Sequence, residues 1–81
     1  MNNSFYNEFA ARFAASTLTS LVESFNSQVG NRGFTSARAA HNKALIDEFV
    51  RRGIDVSAVY DGTATSFAHH VELDNNSLVI R

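Results

Sequence analysis

The 81-residue chain contains no cysteine and no proline, and it has only four glycines. The absence of cysteine excludes disulfide bonds, thiolate metal ligands and cysteine nucleophiles. No apolar run reaches the length of about 18 residues that a membrane-spanning helix needs. The first residues, Met1 to Ser4, lack the basic start and apolar block of a secretory signal. We therefore expect no membrane span, and a cytoplasmic location is the default prediction.

Composition and charge also exclude several classes of protein. The chain is 44% hydrophobic and 19% charged, with a formal net charge of −1. This apolar content is typical of a folded protein, and the charge provides no general attraction to nucleic acid or an anionic membrane. A chain of this size forms one domain, here residues 1–81, and buries only roughly 60% of the surface it exposes when unfolded. Self-association is a common way for such small domains to gain stability.

Residues 4–29 contain neither proline nor glycine and predict one long helix. At about 100° per residue, their apolar side chains fall on two opposite sides of that helix. A seam along its whole length consists of Ala11, Ala14, Ala15, Leu18, Leu21, Val22, Phe25 and Val29. The other side carries an aromatic stripe over the first half only, made of Phe5, Tyr6, Phe9 and Phe13. Because an 81-residue chain can hardly cover both sides of its longest helix, we predict that the aromatic stripe is a docking surface.

A second helix is predicted over residues 36–52, after a short loop. Thr35 or Ser36 can cap its start. Gly53 followed by Ile54 is typical of a Schellman ending, in which Ile54 packs back on Phe49. Two intrahelical ion pairs at i,i+4 spacing are expected on its polar side, Asp47–Arg51 and Glu48–Arg52.

After Gly53 the apolar period changes from 3.6 to 2, which predicts strands over residues 55–60, 63–73 and 77–81. Asp61-Gly62 and Asn75-Asn76 are expected two-residue turns. With those turns, the register on the core side pairs Leu73 with Leu78, Val71 with Ile80 and Val56 with Phe67. The predicted fold is therefore α+β: a helical hairpin packed on a three-stranded antiparallel β-meander, in the order ααβββ.

The aromatic stripe is the strongest functional feature of the sequence, since a contiguous exposed apolar patch usually marks a partner surface. It predicts self-association as a homodimer, ahead of a larger protein partner. Two alternatives make the stripe ordinary core instead. In one the sheet packs on that side, and in the other the helix kinks near Ser16-Thr17.

A second candidate site consists of Arg32, Arg38, His41 and Asn42, and it is predicted to bind an anion or a partner. Arg32 and Arg38 have no acidic neighbour nearby in sequence. Arg38 and Asn42 lie close to the free N–H groups at the helix start, which favour a phosphate or carboxylate. In the alternative interpretation, Arg38 pairs with a carboxylate elsewhere in the fold, such as Asp55 or Asp74.

Catalytic motifs are absent from the sequence, including the P-loop, His-Glu-x-x-His and Gly-x-Ser-x-Gly patterns. We therefore predict no catalytic residues, no metal site and no cofactor. The predicted function is that of a small non-enzymatic protein-binding module: an adaptor, regulator or inhibitor of a larger protein. Its size is typical of phage and plasmid accessory proteins. The alternative is a small nucleic-acid-binding regulator that uses Arg32, Arg38 and His41.

Overall fold

The structure, a computed structural model, describes residues 4–31, 33 and 35–81. The predicted α+β class is confirmed, with three helices and one two-stranded antiparallel sheet in these residues. The elements are α1 (Ser4–Ala14), α2 (Leu18–Asn26), α3 (Ser36–Arg51), β1 (Val71–Asp74) and β2 (Ser77–Ile80). The predicted three-stranded meander does not form in this part of the chain. None of the helices described is long and apolar enough to cross a bilayer.

The prediction of one helix over residues 4–29 is wrong, because the chain breaks between α1 and α2. Thr17 caps α2, and its Oγ1 accepts a hydrogen bond of 3.1 Å from the backbone N–H of Ser20. In an unbroken helix Phe9 would point about 160° away from Phe25, since 16 residues at 100° each separate them. The break removes this constraint, and α1 and α2 both pack on α3.

The predicted ends of the second helix are confirmed at α3. Thr35 Oγ1 accepts a 3.0 Å hydrogen bond from the N–H of Arg38. At the other end Gly53 has a φ of +79°, a left-handed conformation that favours glycine. Ile54 N–H donates to the Phe49 carbonyl at 2.9 Å, and Gly53 N–H donates to the carbonyl of Val50 at 3.0 Å. These are the two hydrogen bonds of a Schellman ending.

The hydrophobic core lies around α3. Its C-terminal half contributes four buried apolar side chains, and the remainder come from α1, α2, the segment after α3 and the hairpin. The buried apolar residues are Phe13, Leu21, Phe25, Ala44, Leu45, Ile46, Phe49, Ile54, Val56, Val59, Val71 and Leu78. Phe67 extends this core, since its ring stacks on that of Phe25 with centroids 4.6 Å apart.

The β1–β2 hairpin has the predicted turn and register. Asn75 and Asn76 have φ of 53° and 67°, as a two-residue type I′ turn requires. Val71 pairs with Ile80, and Leu73 pairs with Leu78. We expected both members of each pair to be buried on this face, but only Val71 and Leu78 are buried. Their partners Leu73 and Ile80 remain 37% and 50% exposed.

A side chain occupies the outer edge of β1. The Asn26 amide donates to the Val71 carbonyl at 3.0 Å and accepts from the Val71 N–H at 2.8 Å. Asn26 therefore satisfies both backbone groups of Val71, as a neighbouring strand would, and ties the end of α2 to the hairpin.

The predicted strands 55–60 and 63–73 are replaced over most of their length by a turn at residues 57–59 and by irregular backbone over residues 63–70. Isolated bridges join Asp55 to Ser77 in parallel and Tyr60 to Thr65 in antiparallel. The Asp61 carboxylate accepts from the N–H groups of residues 63 and 64, both at 2.8 Å, so four residues rather than two separate Tyr60 from Thr65. This local carboxylate–backbone bonding competes with a two-residue hairpin turn. It also displaces the expected pairing of residues 56 and 67, since the N–H of Ser66 donates to the carbonyl of residue 59.

Candidate functional site

The aromatic stripe on α1 divides into a buried part and an exposed part. Phe13 is only 2% exposed and belongs to the core, whereas Tyr6 and Phe9 are partly buried against that core. Phe5 is 51% exposed. The expectation that all four side chains form one surface patch is therefore wrong at Phe13. The break after α1 is the reason, because it lets this helix turn its aromatic side towards α3.

His41 of α3 fits between two rings of the stripe. Its ring centroid is 5.0 Å from that of Phe9 and 5.2 Å from that of Phe13, both in edge-to-face geometry. Its Nδ1 is 2.9 Å from the side-chain oxygen of Asn42. These contacts make His41 a packing residue between α1 and α3. Because its ring packs on two phenylalanines and its Nδ1 contacts Asn42, His41 is less available than predicted to contact an anion.

Polar contacts join the start of α1 to the middle of α3. The Tyr6 hydroxyl donates to Asp47 Oδ2 at 2.5 Å, and this hydrogen bond raises the pKa of Tyr6 above its ordinary value. Lys43 Nζ lies 3.3 Å from the same carboxylate oxygen and 5.9 Å from the centroid of the Tyr6 ring. Asp47 thus pairs with Lys43 and Tyr6, and the predicted Asp47–Arg51 pair is not formed.

Glu48 and two arginines connect α3 to the end of α1. Glu48 is 5% exposed, and its Oε2 accepts from Arg51 at 2.5 Å and from Arg52 Nε at 2.6 Å. The hydrogen bond from Arg51, followed by that from Arg52, lowers the pKa of Glu48 against the opposing effect of burial. Arg52 Nη2 also donates to the carbonyls of Phe13 and Ser16 at 2.9 and 2.6 Å. We call this arrangement of Glu48, Arg52 and the carbonyls of Phe13 and Ser16 the arginine clamp.

The arginine clamp confirms the predicted Glu48–Arg52 pair and adds a contact that sequence reasoning missed. Arg52 lies 36 and 39 positions after the two carbonyls it binds. No local pattern signals a bond over that distance. The only indication in the sequence is chemical, since the last carbonyls of a helix need donors and arginine is a good one.

Arg38, the central residue of the predicted anion site, donates its hydrogen bonds to the segment before α3. Its Nε donates to the Gln28 side chain at 2.7 Å, and Nη2 donates to the Asn31 carbonyl at 2.8 Å. Nη1 donates to the carbonyl of Gly33. Its partners are therefore an amide and backbone carbonyls rather than an anion or the carboxylates considered from the sequence. Arg32, the other predicted cation, lies outside the described residues.

A cavity of about 540 Å³ lies between α3 and the segment 60–67, and Arg38 and Asn42 both line it. Its apolar wall includes Ile46 and Phe67. The two cations at its rim already have partners, because Arg38 binds the loop and Lys43 binds Asp47. The cavity is thus an open groove whose charged side chains have partners, and whose other polar side chains are Asn42, Tyr60, Thr63 and Thr65. Elsewhere in the part of the chain described, no three histidine or carboxylate side chains are grouped to hold a metal ion.

The exposed Phe5, the partly buried Phe9 and the neighbouring charged residues Glu8 and Arg12 form a surface that we call the outer flank of α1. The phenylalanines are one turn apart, and so are the two charged residues. The Arg12 guanidinium lies 5.4 Å from the centroid of the Phe9 ring. This outer flank therefore presents an aromatic surface bordered by one negative and one positive side chain.

Comparisons with protein-family models, with curated proteins and with solved structures found no match to this chain. Its function is therefore proposed from the surfaces described above.

Proposed function

We propose that this protein is a small non-enzymatic protein-binding module, acting as an adaptor, regulator or inhibitor of a larger protein, and that it self-associates through α1. The observation that supports this proposal is the half-exposed Phe5 on the outer flank of α1. A large aromatic side chain left in water favours burial against a partner, at roughly 1.5–3 kcal/mol for full burial. The partly buried Phe9, one turn along, extends this apolar area.

The charges of the outer flank favour a second copy of the chain as the partner. Glu8 and Arg12 are one helical turn apart and both exposed. In an antiparallel pairing of two α1 helices about a two-fold axis, Glu8 of one copy faces Arg12 of the other, and the reverse contact forms as well. Phe9 lies between these two charge pairs, and Phe5 lies about one turn beyond them, opposite Ala15 of the other copy. The same surface is thus complementary to itself in both charge and apolar character.

The decisive experiment compares the solution mass of the Phe5→Asp variant with that of the wild-type chain by light scattering. We expect a dimeric wild type and a monomeric variant, because the substitution places a carboxylate where the interface would bury the exposed Phe5 ring. Val50→Asp is the matched control, since Val50 is similarly exposed at 55% but lies on α3. Phe13 is unsuitable for this test because it is a core residue. Circular dichroism verifies that both variants remain folded.

Two results would contradict this proposal. One is a wild-type chain that remains monomeric at concentrations of several hundred micromolar. The other is an equal loss of mass in Phe5→Asp and Val50→Asp, because the outer flank would then have no special part in association.

A further inference from the structure

Helix α1 is attached to the rest of the fold in two ways. Its main packing partner among the helices and strands described is α3, whereas α2 packs on both α3 and β1. The connection between α1 and α2 consists of only three residues, Ala15 to Thr17. A helix with one main docking surface and a short connection to the rest of the fold is suited to exchange between identical copies.

The three connecting residues contain neither proline nor glycine, so no residue in them prevents a helix. In an unbroken helix, the N–H groups of Thr17 and Ser20 would bond the carbonyls of Phe13 and Ser16. In the broken form the two carbonyls and the Ser20 N–H have other partners. Arg52 binds both carbonyls, and the Thr17 hydroxyl accepts from the Ser20 N–H. The break is thus maintained by tertiary and capping contacts rather than by the residues' own preference.

An unbroken helix would change where the aromatic stripe points. Residues 4–26 would form a rod about 35 Å long, at 1.5 Å per residue. With α2 kept on its own α3, Phe9 would point about 160° away from Phe25. The buried side of α1 could then no longer reach the α3 of its own chain. The α3 of a second copy would offer it the same surface.

We propose that residues 15–17 are a hinge, and that α1 is exchanged between two copies of the chain when this hinge becomes helical. The inference rests on the self-association proposed above, and it assigns to the two copies a shared surface other than the outer flank, namely that between α1 and α3. In the exchanged dimer, Tyr6 and Phe13 of each copy contact Asp47 and His41 of the other, with the contacts they make within one chain here.

The first test compares Thr17→Ala with Thr35→Ala. Each substitution removes one N-cap hydroxyl, from α2 or from α3. Loss of the cap lowers the equilibrium population of the folded chain in which α1 and α2 are separate helices by about fivefold. Only position 17 becomes a helix interior in the exchanged dimer, where no cap is needed. We therefore expect Thr17→Ala to lower the dimer dissociation constant about 25-fold, the square of that factor, and Thr35→Ala to leave it unchanged.

A second hinge variant, Ala15→Gly, is expected to have the opposite effect on the dissociation constant. Ala15 is exposed, and glycine in a helix interior is unfavourable by about fivefold relative to alanine. We expect this variant to raise the dissociation constant about 25-fold while its circular dichroism remains that of the folded chain. Opposite effects of Ala15→Gly and Thr17→Ala are the signature of a hinge, because general destabilisation would change the dissociation constant in one direction only.

A direct readout uses introduced cysteines, since the chain has none of its own. Ala11 of α1 and Arg51 of α3 are exposed and line the same groove. Ala11→Cys chains are mixed with Arg51→Cys chains and treated with a short bismaleimide. Exchange predicts a covalent heterodimer, whose yield rises when both chains also carry Thr17→Ala. Absence of this product from a dimeric sample overturns the exchange.

Phe5→Asp separates this inference from the proposed function. A dimer that Phe5→Asp disrupts, and that neither hinge variant affects, supports association through the outer flank and overturns the exchange. A dimer that responds to the hinge variants and resists Phe5→Asp supports the exchange and overturns pairing through the outer flank. A chain that is monomeric in every variant overturns both.

Discussion

The arginine clamp is expected to make Arg52 far more important for stability than its neighbour Arg51. Both guanidinium groups donate to the same oxygen of Glu48. Arg52 is 20% exposed and also binds the α1 carbonyls, whereas Arg51 is 62% exposed. Methionine at either position keeps an unbranched side chain of similar length and removes the hydrogen bonds. The pair Arg52→Met and Arg51→Met therefore isolates the effect of the clamp.

The magnitude follows from the contacts that Arg52→Met removes. Three short charge-assisted hydrogen bonds are lost, to Glu48, Phe13 and Ser16, at 2.6, 2.9 and 2.6 Å. Each contributes about 1.5–3 kcal/mol when buried. Water can replace part of this at a side chain that is one-fifth exposed, so we expect a net loss of about 3 kcal/mol. A chain of this length has about 4–12 kcal/mol of stability in total.

Urea denaturation followed by circular dichroism measures this loss. With a slope of about 1 kcal/mol per molar urea for a small protein, the midpoint of Arg52→Met should fall by about 3 M. Arg51→Met should fall much less, because water replaces an exposed ion pair at little cost. Equal shifts in the two variants would refute the reasoning, since the carbonyl contacts would then contribute nothing beyond the ion pair.

Two further predictions concern contacts that hold α2 and α1 in place. Asn26→Asp keeps the shape of the side chain but turns an acceptor towards the Val71 carbonyl, so the free energy of unfolding should fall by about 1–3 kcal/mol. Asn7→Asp, at an exposed position, should change it little in the same urea titration. Tyr6→Phe should lose about 1 kcal/mol at pH 7. Since the pKa of Tyr6 is raised in the folded chain, its hydrogen bond to Asp47 stabilises the fold below the ordinary tyrosine pKa and is lost as the pH rises through the folded-state value. The stability difference between wild type and Tyr6→Phe should therefore shrink above about pH 10, and a difference independent of pH would contradict this assignment.

Features set by neighbours in the chain could be predicted from the sequence. The Asn75-Asn76 turn determines the register of the hairpin, because only a two-residue turn of that type joins the strands with matching twist. Thr35 and Gly53 determine the ends of α3 for the same reason, since a cap bonds groups within a few residues of itself. For the candidate site, the exposure of Phe5 was anticipated from the two-sided pattern of the first helical segment.

The sequence offered a kink near Ser16-Thr17 as an alternative, but only the tertiary structure determined that the first segment breaks there and which aromatic residues it buries. The residues 15–17 are compatible with a helix, and distant Arg52 binds the carbonyls at the break. Likewise, Arg38 has no acidic residue nearby in sequence, and it binds backbone carbonyls of the loop before α3. In both cases the deciding hydrogen bonds join groups far apart in the chain or outside any periodic pattern. Local preference and helical periodicity carry no information about such bonds, because these bonds exist only once the chain is folded.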